Sequence, residues 1–573
     1  MYVKTTTRKA SGGEVRYLHL AHNEWDPAAR RSVPKVLYSF GREDQLDRDA
    51  VRRLVASLSR LLEPGGALAA AAGSDLAFTE SRPFGGAYVL DALWGRLGIG
   101  TILAGLASAG RGRPRDARAA ERVLFGLVAN RALAPSSKLA AAEWMSRDVH
   151  IDGLAEVSDD ACYRAMDWLH AVRGELEKQV YFAVSDLLNL EVDLLFFDTT
   201  STYFELEDAD EEVARNWRGE TTGDGSHDAD PGKAAGFRAH GKSKDSRDDL
   251  PQIVIGMAVT RDGIPVRAWC WPGNTSDSAL IRQVKADMRD WALGKVIWVA
   301  DRGFSSARNR RFLQQGAGAY IIGEKMRSDS PLVKAALSRQ GRYQVVAGNM
   351  QVKEVRLAEA EDRFVICYNP DAAVRDAAIR AELAGRLEEM IAGTDGLPER
   401  KRGELRGKIS TMPGLNRFLR VTPGGLLRVD KAKVKAEENL DGKYLLRCAD
   451  PKMSAEDIAL GYKQLLEVER GWRDMKQILD LRPVYHRLEE RIRAHVILCW
   501  LALLLIRIAE TTAGQTWPAM RRELDRIHLG TFTGPAGTFR QLTDLSKPAR
   551  DLLAKLRIDQ PRKIHELTAA DGT

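Results

Sequence analysis

The sequence predicts a mixed α/β fold: a sheet flanked by helices, interrupted by a β-rich stretch and preceded by a helical region. Short, almost wholly apolar runs begin at residue 192: VDLLFFD (192–198), PQIVIGMAV (251–259), PVRAWCW (265–271) and KVIWVADRGF (295–304). Runs of that length suit strands buried on both faces. Helix-period segments, SALIRQVKADMRDWAL (278–293) and NRRFLQQG (309–316), alternate with them before another strand-like run, AYIIGEK (319–325), as in a mixed sheet. Before all of these, residues 85–190 carry apolar side chains recurring at three and four, the helical period.

In chain order, residues 1–75 read as a small mixed segment of alternating runs, with a basic helical stretch at 47–62 and a small-residue linker at 65–75. Residues 76–190 form the helical region. Within it Gly110–Arg118 is a basic, Gly/Pro-broken loop. Its Arg111-Gly112-Arg113-Pro114 reads either as a solvated loop or as a hook for an A·T-rich minor groove. Residues 191–325 hold the first strands. Residues 326–450 look β-rich (RYQVVAGNMQVKEVRLA, DRFVICYN, RFLRVT, KYLLRC) around a charged helical stretch at 371–410, which ends in the basic cluster ERKRGELRGK. That cluster fits a solvated helix face and DNA contact equally well. Residues 451–515 give one long helix over 454–481, with Ser454 and Asp457 as its N-cap box, and a second to about 510. Residues 516–573 are expected as short helices.

At 573 residues the chain exceeds one compact core. Its 86 Lys+Arg against 79 Asp+Glu give +7, an excess that permits a nucleic-acid partner without requiring one. Five cysteines, Cys162, Cys270, Cys367, Cys448 and Cys499, lie far apart with no CxxC pair. That excludes a disulfide framework and a cysteine-built zinc site and fits a reducing cytoplasm. The first residues lack the apolar stretch of a signal peptide. The most apolar run, Val496–Ile508, carries Arg507 and falls short of the ~20 residues of a membrane span; a buried core helix is expected there.

Chemistry concentrates in three acids. Asp198 and Asp301 each end an apolar strand run. Taking an ionised carboxylate out of water costs several kcal/mol unless something pairs with it, so the two together suggest a cation. Hard oxygen donors with room for water and phosphate suit Mg²⁺ or Mn²⁺. Taken singly, each Asp also reads as a strand-end cap. The third acid is Glu469. Tyr462, Glu469 and Lys476 are spaced by seven. Seven residues at about 100° each make almost two turns, so the three share one helix stripe. The plainer reading pairs Glu469 with Arg473 at i,i+4 on an exposed face.

Phe196-Phe197-Asp198-Thr199-Thr200, SKDSRDDLPQIVIGMAVTRDGIPV, PGNTSD, ADRGF and YKQLLEVERGWRDMKQILDLRPVYH together resemble the DDE transposases of bacterial insertion sequences. Within these the chain is similar to the group with the signature Tyr-(2)-Arg-(3)-Glu-(6)-Lys. Tyr462, Glu469 and Lys476 match it, and Leu465 stands where the Arg is expected. The likeness covers about 190–325 and 450–510 firmly. It implies a ribonuclease-H-like sheet with a β-rich insertion before the Glu, for which the 168 positions from Asp301 to Glu469 leave room. It further implies two Mg²⁺ ions, replaceable by Mn²⁺, on Asp198, Asp301 and Glu469, and DNA phosphate contacts from Tyr462 and Lys476. Arg470 or Arg473 is expected to stand in for the missing Arg.

The implied reaction is cut-and-paste transposition. Strands are hydrolysed at the terminal inverted repeats, and the freed 3′-OH ends are joined to target DNA. A homodimer would hold two ends, with about 515–573 as candidate contacts and the helical N-terminal region reading the repeats, in a cytoplasmic, nucleoid-associated setting without a membrane. Three rivals are an Asp-nucleophile phosphatase, a nuclease that never joins strands and a non-catalytic DNA binder. The first wants an acid at position 200, where Thr stands. The intact acids count against the last.

Overall fold

The computed structural model describes residues 2–10, 13–26, 30–51, 53–55, 76–109, 116–190, 192–222, 234–289, 291, 293, 296–534 and 537–569. The 65–75 linker and most of the Gly110–Arg118 loop, including Arg111–Pro114, lie outside these. The chain divides into two compact units, Met1–Gly86 with Arg521–Thr573, and Ala87–Met520.

The second unit is built on a nine-stranded sheet. Its strands in chain order are β1 (Leu194–Tyr203), β2 (Gln252–Thr260), β3 (Pro265–Pro272), β4 (Ile297–Ala300), β5 (Ala319–Glu324), β6 (Gln344–Ala347), β7 (Met350–Val355), β8 (Arg363–Tyr368) and β9 (Lys443–Cys448). The spatial order is β6-β7-β8-β9-β5-β4-β1-β2-β3. β1, β2 and β3 run antiparallel in sequence, whereas β4 and β5 lie parallel to β1. An antiparallel meander followed by parallel strands added beside its first member is the ribonuclease-H-like arrangement expected from the resemblance.

Two helices cover one face, α1 (Asp277–Asp287) and α2 (Ala307–Gln314). Leu280, Ile281, Val284 and Leu313 pack there on Leu195, Phe197, Trp269, Trp271 and Trp298. Successive strand residues alternate faces, so Leu194, Phe196 and Asp198 point to the other side. That side is covered by α3 (Ala455–Lys463), α4 (Leu466–Gln477) and α5 (Glu489–Ala513). α5 is long and apolar enough to cross a membrane, yet its apolar window is buried inside the protein. Its charged residues are paired: Arg507 with Asp474 and Glu510, and Arg493 with Glu489.

Three elements of this second unit differ from the sequence expectation. β1 does not stop at Asp198: the β-branched TTST continues it, paired with β2 as far as Tyr203, so Asp198 sits mid-strand. The helix expected over 454–481 is two helices. Gln464 and Leu465 close i→i+3 hydrogen bonds to Gly461 and Tyr462, a tightened turn that advances about 120° per residue instead of 100° and breaks the stripe. Residues 326–450 form no separate β module. β6 to β9 extend the same sheet, and most of the rest makes a small body of helices with a two-stranded hairpin, Leu419–Val421 and Leu427–Val429, around Leu387, Ile409, Leu415 and Phe418.

Residues 85–190 are helical as expected, with helices over Gly85–Arg96, Ile99–Ala109, Ala117–Leu133, Lys138–Glu143 and Asp159–Leu188. In the other unit, Tyr2–Ala10, Gly13–Asp26 and Arg31–Arg42 form an antiparallel sheet. The C-terminal residues are not only helices. His528–Gly534, Gly537–Leu542 and Ile564–Ala569 join Ala77–Pro83 in a four-stranded sheet, beside the helix Lys547–Leu556. The partner strand lies some 450 positions earlier, beyond the reach of any local periodicity.

Candidate active site

The register places the two aspartates side by side. β4 pairs with β1 as far as Ala300 opposite Phe197, so the next residues, Asp301 and Asp198, continue the row where β4 ends and β1 runs on. Burial, and to a smaller degree the charges of Asp301 and Asp277, pushes the Asp198 carboxyl up to about 6, although Lys244 and the Thr199 backbone oppose this. A partly buried carboxylate beside other acids calls for a cation.

Lys244 supplies part of that charge. Its Nζ lies 3.8 Å from Asp198 Oδ1 and 3.4 Å from Asp277 Oδ2. It also donates to the Thr199 carbonyl and hydroxyl, at 2.6 Å each, and Thr199 Oγ1 donates to Asp277 Oδ1 at 2.7 Å. Asp277 is the first residue of α1. Lys244 and Asp277 sit in segments that carry the resemblance, but sequence reasoning gave neither a role. An acid opening a helix reads locally as a cap, and only the fold brings it over β1.

Tyr462, at the end of α3, donates from its hydroxyl to Asp301 Oδ1 at 3.2 Å. Its ring stacks on Tyr444 with centroids 5.8 Å apart. Burial, then the charge of Asp301, holds the phenol above its ordinary range. The close approach depends on Gly323 in β5, where a Cβ would stand 2.5 Å from the Tyr462 hydroxyl.

Glu469 lines the same cavity of about 650 Å³ as Asp198, Asp301 and Tyr462. It is exposed and has no ion-pair partner among the described residues, so the alternative of a Glu469–Arg473 pair does not hold. It does not close on the aspartates: among the described residues no three His, Cys, Asp or Glu side chains converge tightly enough to hold one ion. Lys476 lies further along α4, its Nζ 2.9 Å from Asp245 Oδ1. Burial, the largest influence, holds its ammonium below the ordinary lysine value. Asp245 also pairs with Arg482 at 3.0 Å.

Leu465, at the signature's Arg position, is 8 % exposed and caps α4. Of the two suggested substitutes, Arg470 is engaged elsewhere, 2.9 Å from Glu510. Arg473 is exposed, without an ion-pair partner among the described residues.

The donors fit a divalent cation in kind. Asp198 and Asp301 are hard oxygen ligands on neighbouring strands; Asp198 is partly buried and, among the described residues, Lys244 is its one ion-pair partner.

A mixed sheet thus brings aspartates of adjacent strands to one cavity, which a helix carrying a glutamate also lines. The sequence pattern described as "Transposase DDE domain" matches residues 217–505, more than half of the chain, which therefore belongs to that family. Residues 3–69 match a second pattern, "IS1634 family transposase, N-terminal domain", and together the two mark an insertion-sequence DDE transposase. No curated protein sequence matches.

Among solved structures, the chain is similar to a piggyBac transposase synaptic complex with hairpin DNA, at 10 % identity and a TM-score of 0.36, over 76 % of this chain and 79 % of that one. It is also similar to a Mos1 transposase paired-end complex with left transposon end, at 11 % identity and a TM-score of 0.14, over 33 % and 53 % of the two chains. Likenesses this faint carry no functional argument.

Proposed function

We propose that the chain carries out cut-and-paste transposition of its insertion sequence, with Asp198, Asp301 and Glu469 as catalytic metal ligands. The observation that carries this is the partly buried Asp198 beside Asp301 in a cavity that Glu469 also lines. Two Mg²⁺ ions, for which Mn²⁺ substitutes, would activate the attacking oxygen and neutralise the leaving one. Water attacks the phosphorus at the element end, and the P–O bond breaks to free a 3′-OH. That hydroxyl then attacks a target phosphodiester and displaces a target strand.

The chain's own residues position the DNA. Tyr462 fixes Asp301 through its hydroxyl, Lys244 sits between Asp198 and Asp277, and Lys476 reaches the strand once DNA phosphate displaces Asp245. Glu469, exposed and without an ion-pair partner among the described residues, is free to turn inward when cations and DNA fill the cavity. Arg473 is the better placed substitute for the signature Arg. We further propose that residues 76–190 read the inverted repeats, and that two chains, in contact through 516–573, hold paired ends in the cytoplasm near the nucleoid.

The test compares wild type with Asp198→Asn on a labelled duplex carrying the element's own end. Wild type should nick that end with Mg²⁺ or Mn²⁺ and not with EDTA, and should join a pre-cut end to a second duplex. The variant should bind DNA equally while cleaving at least ~10³-fold more slowly, the scale of losing one essential electrostatic group. If wild type and variant bind alike and both are inert, the protein is a DNA binder only.

A further inference from the structure

A second groove, of about 1340 Å³, opens on the α1–α2 face, opposite the face covered by α3 and α4. Six arginines line it and, among the described residues, none of the lining is acidic. Two of the six are neutralised: Arg215 is buried against Glu489 at 3.0 Å, and Arg218 lies 3.4 Å from Asp287. The other four, Arg282, Arg289, Arg308 and Arg311, have no carboxylate partner among the described residues. Arg308 and Arg311 are three apart on α2, a spacing that puts them on one helix face, while Arg282 lies on α1 and Arg289 just past its end. The Arg282 Nε is buried without a hydrogen-bond partner. Burial, and next the charge of Arg308, holds its guanidinium below the ordinary value.

Cations crowded without counter-charge repel one another unless an anion joins them. The groove is too extended for a single small anion, and it carries an aromatic platform. Trp217 is 50 % exposed, with the Arg218 guanidinium 5.0 Å over its ring. The wall formed by Asn274, Thr275 and Ser276 leads directly to Asp277, which hydrogen-bonds to Thr199 beside Asp198. The Ser276 end of the groove is therefore one residue from Asp277, which Lys244 links to Asp198. An anion that spans both is a polymer with phosphates at regular intervals, and phosphate-tracking arginines with a stacking aromatic are the means by which proteins hold a nucleic-acid strand.

We propose that this groove carries the backbone of the DNA strand continuing past the scissile phosphate, with Arg282, Arg289, Arg308 and Arg311 on phosphates and Trp217 stacked on an unpaired base. This rests on the reading of the aspartate cavity as the cleavage site. The DNA is either donor sequence flanking the element or target sequence. Both present the same backbone, and the experiment separates them.

Full-length wild type, Arg289→Gln/Arg308→Gln/Arg311→Gln, the matching triple lysine variant and Trp217→Ala are titrated by fluorescence anisotropy across a salt series. Three duplexes serve as probes: one ending at the scissile phosphate, one extended into the flank and one of unrelated sequence. Every phosphate deprived of its arginine lowers the slope of log K against log salt by about 0.9, so the glutamine variant should drop by about 2.7 in slope and the lysine variant little. Trp217→Ala should weaken binding of the extended duplex when its flank end carries unpaired bases, with no slope change, and leave the fully paired duplexes unaffected. A drop on the extended duplex alone assigns the groove to donor flank, and a drop on the unrelated duplex alone assigns it to target. Slopes equal to wild type on all three duplexes, with matched thermal unfolding, overturn the proposal. Asp198→Asn runs alongside: its slopes should equal wild type, and if wild type itself never cleaves, the catalytic reading fails while the slopes still decide the groove.

Discussion

Gly323→Ala tests how closely the site is fitted. The new Cβ would stand 2.5 Å from the Tyr462 hydroxyl, 3.2 Å from its Cζ and 3.3 Å from the Arg302 backbone nitrogen, all inside the ~3.5–4.0 Å optimum for such contacts. Tyr462 cannot retreat freely, because its ring stacks on Tyr444 and its hydroxyl is bound to Asp301. Overpacking of this kind costs about 1–2 kcal/mol. Tyr462→Phe removes the nearest atom and leaves Cζ, so in that background the alanine should cost only about 0.5 kcal/mol. The two substitutions should therefore couple by roughly 1 kcal/mol in urea unfolding, well above the ~0.3–0.5 kcal/mol scatter of independent sites. With Tyr462 pushed off Asp301, cleavage of the element end by Gly323→Ala should fall on the order of 10²-fold, the scale of an ångström's misplacement in an active site. Additive stabilities, or a Gly323→Ala enzyme that cuts at the wild-type rate, would refute the close fit of this tyrosine.

Two further outcomes follow from charged side chains away from the aspartates. Lys138 is 3 % exposed; burial first, and then nearby Arg131, brings its ammonium down to about 7. The unfolded chain holds that proton up to the ordinary lysine value of 10.5, so the unfolded state binds more protons between these values and stability rises with pH across that window. Lys138→Met should be more stable than wild type below pH ~7, by about 2–4 kcal/mol, with the gap closing toward pH ~10.5; a pH-independent gap in thermal unfolding would contradict this. Arg470 and Arg473 should separate cleanly. Arg470→Gln, which leaves the buried Glu510 one partner short, should cost about 1–2 kcal/mol of stability and leave the salt dependence of DNA binding untouched. Arg473→Gln should do the reverse, lowering the salt slope by about 0.9.

How much of this was legible in the chain varies from element to element. Apolar runs such as LLFF and IWVA announce buried strands because a strand covered on both faces has no polar side to show. The order of motifs along the chain supplied the family. The exact ends of elements were not legible: β-branched residues after Asp198 carry β1 past the carboxylate, and a turn tightened at Gln464–Leu465 splits a helix where no Pro signals a break. The C-terminal strands escaped notice because their partner, Ala77–Pro83, lies at the far end of the chain, and pairing across that distance leaves no periodic trace.

By itself, then, the sequence determined the kind of sheet, the family and which acids to watch, since these depend on local hydrophobicity and on motif order. Only the tertiary structure decided that Lys244 and Asp277 attend Asp198, that Asp245 holds Lys476, that Arg470 is structural and that Glu469 stands apart from the aspartates. The physical reason is that a charge is defined by what surrounds it. Desolvation and counter-ions come from segments remote in sequence, and no spacing along the chain records them.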